Sequence, residues 1–412
     1  MQTSLISNYT TVESPFIIIK IGDYTFGHCQ FPKDRNKLVQ YKVDFPNYVN
    51  SMQIKKVNGS INNYTIKLTY AITPGDDPNM FDKVFSSVSE SRKIFLQYGD
   101  WNIPNHIYKD EEALLTKVSS NIDFANSKID YTLTAVSNAL SITAVNHNFE
   151  ARVAQPSAVI IDLLNDESYN LKEVFPGMAN LSAFQLASLI DHSDKTVSLN
   201  AQYCSIFTYI NYLVSCMTYI EDSDSDIKSS RYYWATYDDL NNEYGGSYFK
   251  IVRVDARATY NLEQNCYEVD IGYPSGNFVT NFTVDTNESW SILYNYSVKM
   301  NMPTYTYDID NKGNISANYS PMILNSSNYG TIDEFTKAWW SNMTMYPISA
   351  KLTIKGLLKP ALLMSYVKIN TYFYGNKHIS SGLYIITKQE DTIDTNGYRT
   401  TLSITRVSGD EM

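Results

Sequence analysis

Asp123-Phe-Ala-Asn-Ser-Lys-Ile129-Asp-Tyr-Thr-Leu-Thr-Ala-Val-Ser137 and Thr395-Asn-Gly-Tyr-Arg-Thr-Thr-Leu402-Ser-Ile-Thr-Arg-Val-Ser408 are two versions of one pattern. Each opens with a turn rich in Asn or Gly. Each continues as a strand whose large apolar residues fall on every second position, the mark of a sheet with one buried face. Leu133-Thr-Ala-Val-Ser and Ile404-Thr-Arg-Val-Ser close them alike. The spacing predicts two copies of one β-domain in one chain.

Composition agrees with a β-rich chain. Only 18% of the 412 residues are charged, and 34 are Tyr. Tyr, Thr and Ile favour strands, and Asn favours turns. The length allows about two to four domains with their own cores. The formal net charge of -10 argues against wrapping a phosphate backbone, because affinity for DNA comes from Lys and Arg. Genomic DNA is left as a passing cargo, and any channel for it is expected to be neutral or acidic. The N-terminal Met1-Gln-Thr-Ser-Leu-Ile-Ser-Asn has no basic start and no apolar run, so a cytoplasmic origin is expected. The charge-free stretch from Thr196 to Ile220 carries Asn200, Gln202 and Asn211, which favours a buried core helix over a membrane span. Cys204 and Cys216, if on one helix, are too far apart to pair, so reduced thiols are expected.

Working inward from those ribbons, the pattern divides at about residues 148, 228 and 345. Over 1–148 the spacing predicts a first β-barrel domain. Its opening hairpin turns at Gly22-Asp23, a half-buried strand carries Val39, Tyr41, Val43 and Phe45, and a second hairpin turns at Asn58-Gly59-Ser60. A helix follows, capped by Asp77 with Met80, Phe81, Val84, Phe85 and Val88 as its stripe, then strands over 93–98, 113–124 and 128–136. Over 149–228 the period changes to helical: Ser157 and Ser182 are candidate caps, and Ile206 to Met217 reads as an apolar helix. Residues 229–345 read as a mixed domain of strands and long loops. Within it 276–284 and 313–332 are loops, and a helix covers Ile332 to Trp340. Residues 346–412 read as dense strand, the second copy of the β-domain, completed by strands from 231–275.

No catalytic, cofactor or metal site emerges. Asp191-His192-Ser193-Asp194 holds triad residue types, but triad side chains must converge and neighbours on one segment point apart. Glu221-Asp-Ser-Asp-Ser-Asp226 begins like a calcium loop but has Ile227 where Gly is needed and Tyr233 where Glu is needed, so it reads as a solvated linker. The five His are scattered singly, and no phosphate-cradling loop is present.

Four segments in order resemble bacteriophage tail hub proteins, the baseplate-hub family related to the spike base of type VI secretion systems. They are Ala350-Lys-Leu-Thr-Ile-Lys-Gly356, Met364-Ser-Tyr-Val-Lys-Ile-Asn370, His378-Ile-Ser-Ser-Gly-Leu-Tyr-Ile-Ile-Thr387 and Gly397-Tyr-Arg-Thr-Thr-Leu-Ser-Ile-Thr-Arg406. The half ending at Lys128 to Ser137 looks like the matching first barrel, so the resemblance covers about half the chain. It implies a β-rich α+β fold, two tail-tube-like antiparallel β-barrels with a helical insertion between them. It also implies a non-enzymatic hub ring at the tail axis that joins tail tube to spike and lets DNA pass. The partners implied are further copies of the chain, as a trimer or hexamer, and other tail proteins. The place is the virion tail, after assembly in the host cytoplasm. Tyr131, Leu133, Leu383, Ile385, Leu402 and Ile404 are the candidate oligomer-interface residues. The competing class is a peripheral receptor-binding or carbohydrate-binding virion protein, for which Trp339-Trp340 could stack a sugar.

Overall fold

The computed structural model describes residues 13–86, 92–102, 107–193, 196–217, 219–223, 226–237, 246–255, 267–271, 279–286, 307–309, 314–317, 322–325, 348–356 and 363–409. The expected helix over 332–340 and Trp339-Trp340 lie outside them. The fold is β-rich, with one large curled sheet of 15 strands and short helices.

The first hairpin is β1 (Pro15–Ile21) and β2 (Tyr24–Cys29), turning at Gly22 in the left-handed region. Helix α1 (Arg35–Gln40) and the short β3 (Phe45–Pro46) follow. The alternation Val39, Tyr41, Val43, Phe45 had suggested a strand here. The residue that decides is Leu38, fully buried from the helix, while Val39 and Tyr41 are exposed. Next come β4 (Val49–Val57) and β5 (Asn63–Ala71), then α2 (Met80–Ser86), whose Phe81, Val84 and Phe85 are buried. Strands β6 (Lys93–Asp100), β7 (Ile107–Asp123) and β8 (Lys128–Ser137) complete this half. β3 brings the sheet round. It pairs with β2 on one side and leads directly into β4, with Asn47 N donating to the Gly27 carbonyl at 2.8 Å. Ile17, Ile19, Phe26, Ile54, Tyr64, Leu96 and Leu133 fill the core this curl encloses.

The middle of the chain holds α3 (Ser141–Ala144), β9 (Asn146–Phe149), β10 (Arg152–Ala154), α4 (Pro156–Asn165), α5 (Leu171–Val174) and α6 (Ala183–Leu189). Ser182 closes a capping box on α6 as its spacing predicted. Ser157 does not cap α4; it lies inside the helix, and its hydroxyl accepts from Ser193 N. Only part of 196–220 is helical. β11 (Val197–Leu199) and β12 (Gln202–Ser205) precede α7 (Ile206–Cys216), so Cys204 and Cys216 are on different elements. Among the described residues no helix is long and apolar enough to cross a membrane. β13 (Tyr219–Ser223), β14 (Asp226–Tyr237) and β15 (Tyr248–Asp255) form an antiparallel sheet. Within the acidic run expected as a linker, Glu221 to Ser223 instead pair with Lys228 to Asp226 of β14, which supplies a pairing edge.

The remaining strands are β16 (Tyr267–Ile271), β17 (Val279–Thr286), β18 (Tyr307–Ile309), β19 (Asn314–Ala317), β20 (Met322–Asn325), β21 (Ile348–Lys355), β22 (Tyr366–Phe373), β23 (Asn376–Lys377), β24 (Gly382–Asp394) and β25 (Gly397–Gly409). β17 corrects the loop reading of 276–284: its Phe282 and Val284 face the core opposite Leu352 and Ala350 of β21. β10 pairs with β11, and β11 with β20 of the β18–β20 meander, so neither joins the large sheet.

The wiring of the large sheet repeats. In chain order β4, β5, β6, β7, β8 lie in the spatial order β4-β5-β8-β7-β6, and β17, β21, β22, β24, β25 lie in the order β17-β21-β25-β24-β22. Both sets follow one arrangement, first-second-fifth-fourth-third, and every contact within it is antiparallel.

Candidate assembly surface

The long hairpins β7–β8 and β24–β25 match residue by residue. β7 bulges between Leu115 and Lys117, and β24 between Ile386 and Lys388. The bulged residue is Thr in both. Thr116 Oγ1 donates to the Thr134 carbonyl at 3.0 Å, and Thr387 Oγ1 donates to the Ser403 carbonyl at 3.2 Å. Lys117 pairs with Thr134 and Lys388 with Ser403. Above the bulge Leu115 N donates to the Arg92 carbonyl, as Ile386 N donates to the Ser365 carbonyl. A bulge spends one unpaired residue and a local ladder defect, so its recurrence at one place marks a shared device. The structural equivalence is Leu133 with Leu402 and Ala135 with Ile404. The look-alike endings Leu133-Thr-Ala-Val-Ser and Ile404-Thr-Arg-Val-Ser are therefore two residues out of register, a slip that keeps every side chain on its own face.

β24 serves both halves. Its start pairs with β22, and past the bulge Lys388 to Asp394 pair with Val57 to Ser51 of β4. Ile393 and Tyr398 of the last hairpin belong to the first core; Leu383, Ile385, Leu402 and Ile404 belong to the second. Tyr131 and Leu133 lie in the first core, so all six candidate interface residues are buried within one subunit. Tyr131 also donates to Asp82 on α2 at 3.0 Å, and burial raises its phenol above the ordinary range.

A run of β17-β21-β25-β24-β4-β5-β8-β7 therefore forms one strip with two faces. One face covers the cores. The other is mostly polar, rich in Thr and Ser, with Val57, Leu114 and Val136 also on it. It carries Lys55, Lys67, Lys117, Lys128, Lys351, Lys355, Lys388 and Arg399 against Asp123, Asp130, Asp285, Glu390 and Asp394. Several are paired: Lys388 with Glu390 at 2.6 Å, Arg399 with Asp394 at 2.6 Å, and Lys128 with Asp130 at 3.1 Å.

Beneath the strip, where the two halves join, sits a buried ionic network. Lys56 Nζ and Glu111 Oε1 are 2.8 Å apart, with side chains 2% and 0% exposed. Tyr98 donates to the same oxygen at 2.7 Å and Tyr64 to Oε2 at 2.8 Å. Next to it Asp391 accepts from Thr400 at 2.6 Å and from Gln389 at 2.8 Å. Burial, together with the carboxylates, holds the Tyr98 and Tyr398 phenols well above the ordinary range, so both stay protonated donors. The network ties β4, β5, β6 and β7 to the last hairpin and fixes how the halves meet.

The other candidate constellations do not converge. Asp191 Oδ2 accepts from Arg253 N, the His192 carbonyl accepts from Tyr232, and Ser193 N donates to Ser157; Asp194 lies outside the described residues. Among the described residues no group of three or more His, Cys, Asp or Glu could hold a metal ion. Cys29 and Cys216 are buried, and burial pushes their thiols up to about 11 and about 12.

No known family's sequence pattern matches the chain, and no curated protein sequence does. Solved structures do. A 43 kDa tail protein of prophage MuSo2 from Shewanella oneidensis is similar at 8% identity, with 95% of this chain and 98% of that chain covered and a TM-score of 0.49. A tail protein from Neisseria meningitidis MC58 is similar at 6% identity, over 96% of this chain and 97% of that one, with a TM-score of 0.48. A component of the type VI secretion system from E. coli is similar at 8% identity, over 88% and 76%, with a TM-score of 0.44.

Proposed function

We propose that the chain is a non-enzymatic structural hub of a bacteriophage tail, a ring at the tail axis that joins the tube to the distal spike. The observation that carries the reading is the five-strand wiring that occurs twice in one sheet, with the same Thr bulge in each copy. Two quasi-equivalent barrels per subunit let three subunits present six similar units, which suits a hexameric tube. Closed rings also remove sheet edges that would otherwise aggregate. Tyr131, Leu133, Leu383, Ile385, Leu402 and Ile404 act on assembly through the strands they anchor, while edges and outward faces make the contacts. Other tail proteins are the partners, and the virion tail is the place.

In this reading the polar face of the strip lines the channel. Composition had led to an acidic or neutral wall; the face instead holds more Lys and Arg than Asp and Glu. Three of its basic groups, Lys128, Lys388 and Arg399, are paired with carboxylates, which weakens their pull on phosphate and lets DNA pass. Mass measurement and negative-stain microscopy of the purified protein test the reading: a threefold ring with a central hole is expected. One copy per virion position, or density only at fibre tips, would remove it.

A further inference from the structure

The two edges of the strip that have no partner among the described residues are quasi-equivalent to a junction the chain makes with itself. Within the chain, the fourth strand of one repeat pairs past its bulge with the first strand of the other: β24 with β4. The matching segment of β7 runs from Thr116 to Asp123. β6 stops opposite Leu114, so among the described residues this segment has β8 alone as a neighbour. The strand matching β4 is β17, which among the described residues pairs only with β21. One open edge thus belongs to the type that β24 offers, and the other to the type that accepts it.

We infer that β7 of one copy pairs antiparallel with β17 of the next, in the register set by the internal junction. Ile393 pairs with Met52 there. Its equivalent in β7 is Ile122, through the shared bulge and turn. The equivalent of Met52 in β17 is Phe282, because Met52 faces Ile66, Ile66 faces Leu133, Phe282 faces Leu352 and Leu352 faces Leu402. The register therefore sets Ile122 against Phe282 and Asn121 against Thr283. Ile122 gives independent support. It points to the core side of its strand opposite Ile129, yet it is 54% exposed, while its counterpart Ile393 is fully buried by β4. An apolar residue on the core side of an open edge is a hazard in a monomer and ordinary in a pairing strand. The occupant is a second copy, because each edge finds its complement only on the other end of the same strip. The contact is head-to-tail, so it builds a ring when the rotation closes. The backbone ladder supplies the attraction, and Ile122 with Phe282 fixes the register, as in other strand additions.

The inference rests on the reading of the chain as a ring-forming subunit, and paired cysteines test the two separately. In the full-length protein, Asn121→Cys with Thr283→Cys should form a disulfide between subunits on mild oxidation, giving covalent multimers without reductant. Either single variant should not. Asn121→Cys with Ser349→Cys, whose second site lies on the neighbouring strand β21, should stay uncrosslinked. Ile122→Asp should raise the concentration for half-assembly at least about tenfold with no change in melting temperature of the monomer, since its side chain is over half exposed. Rings that persist in Ile122→Asp, or that crosslink only in the control pair, overturn this register and leave the hub reading intact. A parent protein that is monomeric at every concentration removes both.

Discussion

Replacing Lys56 by Met tests whether the buried ionic network holds the halves together. Lys56 Nζ and Glu111 Oε1 stand 2.8 Å apart with almost no solvent. At an effective dielectric of about 20 their attraction is of order 6 kcal/mol, much of it offset by removing two ions from water. Lys56→Met keeps the stem volume but leaves the Glu111 carboxylate with only neutral donors, Tyr64 and Tyr98, among the contacts described above. Breaking a buried pair in this way costs about 3–5 kcal/mol, a large part of the roughly 5–15 kcal/mol that holds a domain folded. Urea unfolding followed by tryptophan fluorescence measures it. Lys56→Met combined with Glu111→Gln should recover part of the loss, because Gln carries no charge, its amide oxygen accepts from one phenol and its NH2 can donate to the oxygen of the other. The expected coupling between the two sites is about 2 kcal/mol. A Lys56→Met loss below about 1 kcal/mol, or strictly additive single and double variants, would refute the assignment of this network as the joint.

Four further outcomes are expected. His28 is buried and burial lowers its pKa below the ordinary 6.5, so its contribution to stability is present above pH 6.5 and lost as pH falls through the lowered value; His28→Gln should flatten the fall in unfolding midpoint between pH 6.5 and 5. Iodoacetamide at pH 8, read by peptide mass spectrometry, should leave Cys29 and Cys216 unmodified until urea unfolds the chain, since both thiols are buried and pushed up to about 11 and about 12. Gly356→Ala should destabilise by about 2 kcal/mol or more in the same urea assay, because the new methyl would overlap the Tyr398 ring while the Gly356 N donates to the Tyr398 carbonyl at 2.7 Å. Truncation after Gly375 removes β24 and β25 and with them residues of both cores; the product should be insoluble or unfolded by circular dichroism, and a truncated chain that still forms rings would contradict the two-barrel reading.

Turns and alternation made much of the sheet legible. Gly22, Gly59 and Asn396-Gly397 sit at the turns their spacing predicted, and Tyr64, Ile66, Leu68 and Tyr70 share the buried face. What failed was local pattern opposed by tertiary contact. Val39 to Phe45 alternates like a strand, but Leu38 packs within about 3 Å of where a side chain on Gly27 would stand and holds Val39 and Gln40 in the end of α1, with a turn before β3. Val279 to Thr286 looks polar until β21 offers an edge. The candidate interface residues followed alternation correctly to a buried face, and alternation alone cannot distinguish a face buried within a subunit from one buried between subunits. Ile122 was the readable clue that was missed, an apolar residue continuing the core face beyond the bulge. Lys56 follows Met52 and Ile54 on the inward face, so the sequence placed a charge in the core; its partner, on β7, could be found only in three dimensions.

The shared hairpin has a consequence for synthesis. Gln53 on β4 and Glu390 on β24 are hydrogen-bonded neighbours separated by 337 residues along the chain. The first core therefore waits on the ribosome without Ile393 and Tyr398 until β24 and β25 emerge, and long-range pairing of this kind folds slowly. A nascent chain cannot finish either half early, so an interrupted translation product is left without a complete core to bury.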